Sequence, residues 1–397
     1  MSLPPAGTPH MTDPLLELTE EQRAIVETAR AFADEHLRPN AAAWDRDAHF
    51  EPSLIPKLGE LGFLGMLLPP EHDGLGLDAR SYLLALEEIA IADASTAVMM
   101  SVHNSLPTQM LLHFGSAAQQ ARFLAPMARG ELLGAFALSE PDSGSDAASL
   151  RCQARREGDH WVLDGAKSWV TSGTHAGVIL AMARTDTPEA RKGAKGISAF
   201  IITPDLPGFS VGKKEDKMGM RASPTVQLVF DGMRVPADRL LGEEGMGFTY
   251  AMRSLEHGRL GIAAQALGIA RAAYEAACAY VVERKQFGKP IAEFQAVQFK
   301  LADMATRITA ARSLLHMAAA AKDRGVDIGT QASMAKLFAS ETAMWVTTNA
   351  VQLFGGYGYV KESPVERYFR DAKVTEIYEG TSEVQRVVIG RAAISGM

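Results

Sequence analysis

The stretch VTEIYEGTSEV, residues 374 to 384, sets one carboxylate, Glu379, between an aromatic ring and a glycine. A glutamate on an ordinary exposed helix face has helix formers beside it. Tyr378 and Gly380 instead specify a turn, in which the carboxylate is partly desolvated and the backbone can approach a ligand. Those are the conditions of a general base, although one residue does not establish one. A second stretch, SEPDSGSD (139–146), offers hydroxyls and backbone N–H groups suited to a flavin edge or a phosphate, and read alone it is equally a polar turn. A third, LFGGYGY (353–359), invites a dinucleotide-binding reading, but it follows a helical pattern and lacks GxGxxG spacing. It reads as a helix stop.

The elements that must carry these groups come from a chain of 397 residues with 47% hydrophobic content, enough for two or three domains around a large core. Lys and Arg number 40 against 47 Asp and Glu, for a net charge of -7, so there is no global attraction for nucleic acid or an anionic membrane. Any anionic ligand must meet local donors. Cys152 and Cys278 are the two cysteines and form no CxxC, which suits a reducing compartment and gives no zinc signature or other metal site. No long uncharged segment suited to a membrane is present, and a cytoplasmic protein is expected.

Three periodicities divide the chain. Residues 1–14 are rich in Pro and Gly and are expected to be a flexible leader. From Thr19, which heads a capping box with Gln22, apolar residues recur at helical spacing to about Arg129, predicting a helical domain over 15–132. Over 133–245 the pattern turns to strands. HWVLDGAKSWVTSG reads as a hairpin with an Asp-Gly turn, and GVILAMART, GISAFIIT and TVQLVFDGMRVP as further strands of a small antiparallel β domain. Over 246–397 long helices return, with a last one after Pro364, predicting a four-helix bundle. The fold class is therefore α+β: helices, then sheet, then helices.

Read in order, FALSEPDSGSD (136–146), KSWVTSG (167–173), RKQFGKPI (284–291), FQAVQFKLADMA (294–305), QLFGGYGY (352–359) and IYEGTSEVQR (377–386) resemble the signature segments of the acyl-CoA dehydrogenases. GRLGIAAQALGIA resembles in particular their short-chain, butyryl-type members. The resemblance implies that family's fold and its reaction, in which a glutamate takes the α-proton of an acyl-CoA thioester and the β-hydrogen leaves as hydride to FAD, giving the trans-2-enoyl-CoA. Glu379 matches the base, and Gly380 would allow close approach of the thioester. Phe136, Leu138, Ser139 and Ser145, then Trp169, Val170 and Thr171, match flavin-binding positions. On the residues alone, Trp169 is a strand aromatic in a core. Arg284, Gln295 and the run Gln352, Leu353, Phe354, Gly355 and Gly356 resemble residues that hold the FAD pyrophosphate and adenosine from a neighbouring subunit. An arginine fork suits phosphate, though a solvated Arg284 at a helix end would be unremarkable. Thr381, Ser382 and Glu383 would contact FAD again.

For the acyl-CoA, the resemblance points to Glu256, His257, Gly258 and Arg259 with Ser145, and on the residues alone His257 is a helix-surface histidine. It also implies a homotetramer built as a dimer of dimers, and electron-transferring flavoprotein as the acceptor. Two other outcomes are weighed: an oxidase on the same fold, and a non-catalytic acyl-CoA-binding or assembly protein, which would be expected to lack Glu379. Glutaryl-type decarboxylation is disfavoured because STAVMMSVHNSL supplies no Arg or Lys. In some relatives the base sits on the bundle helix immediately before the arginine matching Arg259. Here that position is Gly258, and Glu256 lies about 200° around the helix from it.

Overall fold

The computed structural model describes residues 17–185 and 193–396, so the leader expected over 1–14 lies outside the described residues. The first layer is helical: α1 (Glu20–Phe32), α2 (Ala41–Asp47), α3 (Leu54–Glu60), α4 (Ala79–Ala92), α5 (Ala94–Ser105), α6 (Pro107–Phe114) and α7 (Ala117–Ala128). Its boundaries are written in side-chain chemistry. Thr19 and Gln22 form the expected capping box on α1, and Ser116 and Gln119 form a second on α7, each satisfying two otherwise orphaned N–H groups.

The chain then becomes strands: β1 (Leu133–Ala137), β2 (Gln153–Glu157), β3 (His160–Thr171), β4 (Ala176–Arg184), β5 (Ile197–Ile202), β6 (Phe209–Lys214), β7 (Thr225–Pro236) and β8 (Leu240–Leu241). They form one sheet in the order β6-β7-β3-β2-β4-β5-β8, with β1 paired to β4. Two expectations are corrected here. The sheet is mixed, because β1 runs parallel to β4 and β2 touches β4 in parallel. The segment HWVLDGAKSWVT is one continuous strand, and its Asp-Gly pair is a bulge within it rather than a hairpin turn. Gly165 holds a φ of 145 with Cys152 pressed against its α-carbon, so the chain bulges there without reversing. The reversal comes one step earlier, at Gly158 (φ 64) between β2 and β3.

The last part begins with the 37-residue α8 (Gly247–Glu283). A two-stranded ribbon, β9 (Lys285–Gln286) and β10 (Lys289–Pro290), leads to α9 (Gln295–Asp323), α10 (Gly329–Phe354), α11 (Pro364–Thr375) and α12 (Ser382–Ser395). A single helix was expected after Pro364; the chain forms two, because residues 376–381 break the run. Small residues let α8 lie close to its neighbours. A Cβ on Gly268 would sit 2.5 Å from that of Ala90 on α4, and one on Gly261 would sit 2.3 Å from the Ser101 hydroxyl on α5. Among the described residues no helix is long and apolar enough to cross a membrane.

Candidate active site

The break between α11 and α12 is where Glu379 lies. Glu379 adopts a φ of 52 and Gly380 a φ of 92. For a glutamate this left-handed backbone carries strain that the surroundings must hold. They do so at the carbonyls: Gln385 Nε2 donates to the Glu379 oxygen (3.1 Å) and the Gly380 oxygen (2.9 Å), and Lys336 Nζ donates to the Gly380 oxygen (2.7 Å). Thr381 caps α12, its hydroxyl accepting from the Val384 N–H at 3.3 Å. The turn is thus pinned from α10 and α12.

Glu379 as a whole is partly exposed, but both carboxylate oxygens are buried and find no hydrogen-bond partner among the described residues. They rest on α8 at Gly258. A Cβ built there would lie 1.8 Å from Glu379 Oε2, so the missing side chain of Gly258 is the space that the carboxylate fills. Burial pushes the Glu379 pKa up to about 7, while Lys336 and Arg259 nearby hold it back. Arg259 is itself buried, donating through Nη1 to the Ser333 hydroxyl at 3.2 Å. Glu256 faces elsewhere, toward Asp327 and Gly329, and burial raises its pKa. His257 is not a surface residue. It is half-buried beside His113, and burial lowers its pKa to about 3, so it is neutral across the physiological range.

Against Tyr378, the residue before Glu379, packs a small apolar cluster of Val98 and Val102 on α5 and Leu106 just after it, joined by Phe136 and Leu255. The Tyr378 hydroxyl donates to Gln265 Oε1, and Gln265 Nε2 donates to the Ala94 carbonyl at 2.7 Å.

The loop after β1 lies against the C-terminal part of β3. Ser168 N–H donates to the Ser139 oxygen at 2.9 Å, and the buried Lys167 Nζ reaches both the Leu138 oxygen (3.1 Å) and Glu140 Oε1 (2.7 Å). The same Glu140 carboxylate accepts from the N–H groups of Arg151 (2.6 Å) and Cys152 (2.9 Å), closing the loop from both ends. Within β3 the register against β7 slips between Lys167 and Val170, and Trp169 takes a φ of 63. Its side chain is turned outward, 63% exposed, whereas Val170 is buried. The reading of Trp169 as a core aromatic is therefore overturned. A large planar side chain held out of the core by a strained bulge, with Thr171 beside it and Ser139 on the adjoining loop, fits a planar aromatic cofactor better than it fits packing. Ser145 is exposed on the same loop.

Three family models match this chain: "Acyl-CoA dehydrogenase, N-terminal domain" over 19–131, "middle domain" over 135–233 and "C-terminal domain" over 245–394. The short-chain specific acyl-CoA dehydrogenase of mouse (Mus musculus) is 49% identical over 94% of this chain and 90% of the relative. The chain belongs to the acyl-CoA dehydrogenase family. Among solved structures, the butyryl-CoA dehydrogenase of Megasphaera elsdenii is 45% identical with a TM-score of 0.93, covering 96% of this chain and 99% of that one. A chain from a structure reported for the electron transferring flavoprotein of Acidaminococcus fermentans is 47% identical with a TM-score of 0.93, covering 96% of this chain and 99% of that one. The protein is thus an FAD-dependent oxidoreductase that dehydrogenates acyl-CoA.

The remaining positions matched to the family lie elsewhere in the chain. Arg284 ends α8, with its guanidinium 5.4 Å from the Tyr357 ring centre. Gln295 opens α9, exposed, and Gln352, Gly355 and Gly356 are exposed around the end of α10. Leu353 is buried in the bundle core and Phe354 stacks on Tyr280 at 4.0 Å, so these two can offer a ligand little beyond their backbone. From Gly258 to Arg284 the chain runs about 39 Å along the axis at 1.5 Å per residue, so one copy does not bring this set to the Glu379 turn. Ser382, buried, and Glu383, exposed, sit in the first turn of α12.

Sequence reasoning missed the residues that hold the site: Lys336, Gln385, Gln265 and the pair Glu140–Lys167. Lys336 carried a usable signal, since it interrupts a stripe of small residues on α10 with a charge. An open cleft of about 450 Å³ between α2 and the sheet, lined by Trp44, Phe50, His175 and Lys214, stands apart from all of these groups.

Proposed function

We propose that Glu379 is the general base in α,β-dehydrogenation of a short-chain acyl-CoA, with electrons passing from FAD to electron-transferring flavoprotein. One observation carries this reading: a buried carboxylate with no partner, raised to a pKa of about 7 and seated over the bare α-carbon of Gly258. Its chemistry follows from that setting. A carboxylate denied water and ion pairs gains by accepting a proton, so transfer from C2 of the thioester to Glu379 relieves its desolvation. The electrons of the broken C2–H bond form the C2–C3 double bond as the C3 hydrogen departs with its own pair. FAD, when bound, supplies the acceptor for that pair. The Glu379 N–H, which has no acceptor among the described residues, is available to the thioester carbonyl, where negative charge develops as the proton leaves.

Several groups divide the binding. Leu138 and Ser139 on the loop after β1 and Trp169 and Thr171 at the end of β3 would flank the flavin, with Phe136, Ser145 and Val170 shaping the wall. Arg259, Gly380 and the backbone at Gly258 would line the thioester, whereas Glu256 and neutral His257 take no part in proton transfer. The cluster of Val98, Val102 and Leu106, closed by the hydrogen-bonded Tyr378 and Gln265, supports a short tail. The distance between Gly258 and Arg284 supports a second subunit supplying Arg284, Gln295 and residues 352–356 to the FAD pyrophosphate and adenosine, as in a tetramer built as a dimer of dimers. Exposed apolar side chains at that end of the bundle, Phe287, Tyr357 and Tyr359, support the same arrangement. Two free cysteines suit a reducing, cytoplasmic setting.

The test is anaerobic turnover of butyryl-CoA with a dye acceptor. Glu379→Gln is expected to lower the rate by about 10²–10⁴-fold with FAD and acyl-CoA still bound, and Glu256→Gln to leave most of it. Near-normal turnover in Glu379→Gln would refute the assignment.

A further inference from the structure

On the buried face of α10 the sequence runs Ala332, Ala335, Lys336, Ala339, Ala343, and one member of that stripe is an ammonium. Lys336 is 0% exposed. A buried cation is costly unless paired, and Lys336 forms no ion pair among the described residues; its Nζ donates to a neutral carbonyl, that of Gly380, at 2.7 Å. The charged groups that face it are Glu379, Arg259 on α8, Glu376 at the end of α11 and Glu383 on α12. Glu379 in turn is faced by Lys336 and Arg259, with Tyr82 on α4 and Tyr378 as titratable neighbours. Lys336 therefore stands directly behind the turn that carries the carboxylate, without neutralising it by contact.

We infer that Lys336 is a positioning residue for Glu379, holding the residue after the base by its carbonyl while its charge keeps the carboxylate ionised in a dry site. The inference rests on the reading of Glu379 as the base. The geometry gives the two roles one origin. The strained pair at 379 and 380 needs donors on its carbonyls, and Gln385 supplies only one side chain for both. A donor that is also a cation restores part of what burial takes from the ionised form. Burial draws the Lys336 pKa down to about 8, so it stays largely protonated at neutral pH.

Two variants separate the roles. Lys336→Gln keeps a donor and removes the charge. The acidic limb of its kcat/KM profile should move up by about one pH unit, with kcat/KM at pH 7 about fivefold lower. Its limiting rate at high pH should be close to that of the unmodified enzyme. Lys336→Met removes both functions, so the limb should move and the limiting rate should also fall, by roughly tenfold or more. FAD affinity should be unchanged in both. Infrared titration of the buried carboxyl, with Glu379→Gln as the blank, reads the same shift without turnover. A merely structural lysine would lower Tm in both variants and leave the limb and the infrared titration where they were, and that result overturns the inference. If Lys336→Met does not fold, Lys336→Gln alone decides the role of the charge. Normal turnover in Glu379→Gln would instead sink the base assignment, whereas an inactive Glu379→Gln beside an unmoved limb would sink only the role of Lys336.

Discussion

Two glutamates buried in this protein have opposite surroundings. Glu87 on α4 accepts from Arg271 Nη1 at 2.8 Å and from Arg312 Nε at 3.2 Å, both from the helical bundle. Burial alone would raise its pKa, but the two guanidinium groups outweigh it and bring the carboxyl down to about 2. Glu379 has no such partner, its cations stand off at Gly380 and Ser333, and its pKa rises to about 7. Burial by itself therefore predicts neither structure nor catalysis. A buried carboxylate whose lone pairs accept hydrogen bonds from guanidinium groups ties helices together, and one whose lone pairs meet no donor is free to take a proton.

The sharpest way to break this comparison is to remove each carboxylate in turn. Glu379→Gln should carry the largest functional loss, the 10²–10⁴-fold of a missing base, without a loss of stability. The sign of its pH dependence follows from a folded-state pKa above the unfolded value. That stabilising contribution is fully present below about 4.5 and is lost as pH rises through about 7. Thermal unfolding should then show Glu379→Gln more stable than the unmodified protein at pH 8, with the gap closing at pH 5. Glu87→Gln should do the reverse. Leaving Arg271 and Arg312 short of a countercharge should cost about 3–5 kcal/mol by chemical denaturation, while the folded fraction turns over normally. A smaller effect sharpens the geometry: Gly258→Ala puts a methyl where Glu379 Oε2 lies and should cost roughly 1–3 kcal/mol of strain, read as a lower kcat with little change in FAD content. Moving the carboxylate, with Gly258→Glu and Glu379→Gly together, should return part of the activity lost in Glu379→Gln.

The helix–sheet–helix order and the Tyr-Glu-Gly turn were legible because each is written locally: capping boxes, a change of period from helix to strand, and a carboxylate set beside a glycine. What the sequence hid depends on contacts between distant residues. Asp164-Gly165 has the composition of a hairpin turn, yet the strand continues through it as a bulge opposite β7, with Cys152 close against Gly165. Trp169 reads as core because strand aromatics usually are, and its outward turn goes with a register slip against β7 and a φ of 63, which side-chain type does not announce. Lys336 finds its acceptor 44 residues away, at a backbone carbonyl that no side-chain pattern reveals. The positions proposed to meet ligand came from the family resemblance, and the side chains that hold the Glu379 turn were marked by neither motif nor spacing.

The central claim is that an unpartnered Glu379 carboxylate titrates near neutrality and must be ionised for turnover. The pH dependence of kcat/KM tests it most directly, measured anaerobically with butyryl-CoA for the unmodified enzyme, Glu379→Gln and Asp371→Asn. Asp371 is the necessary control, because its buried carboxyl is also raised to about 7 while it accepts from the Met220 N–H at 2.5 Å. Activity is predicted to fall as pH drops through about 7, the limb to persist in Asp371→Asn, and the residual rate of Glu379→Gln to show no such limb. A limb in the ordinary carboxylate range near 4–5, or the same limb surviving in Glu379→Gln, would contradict the account.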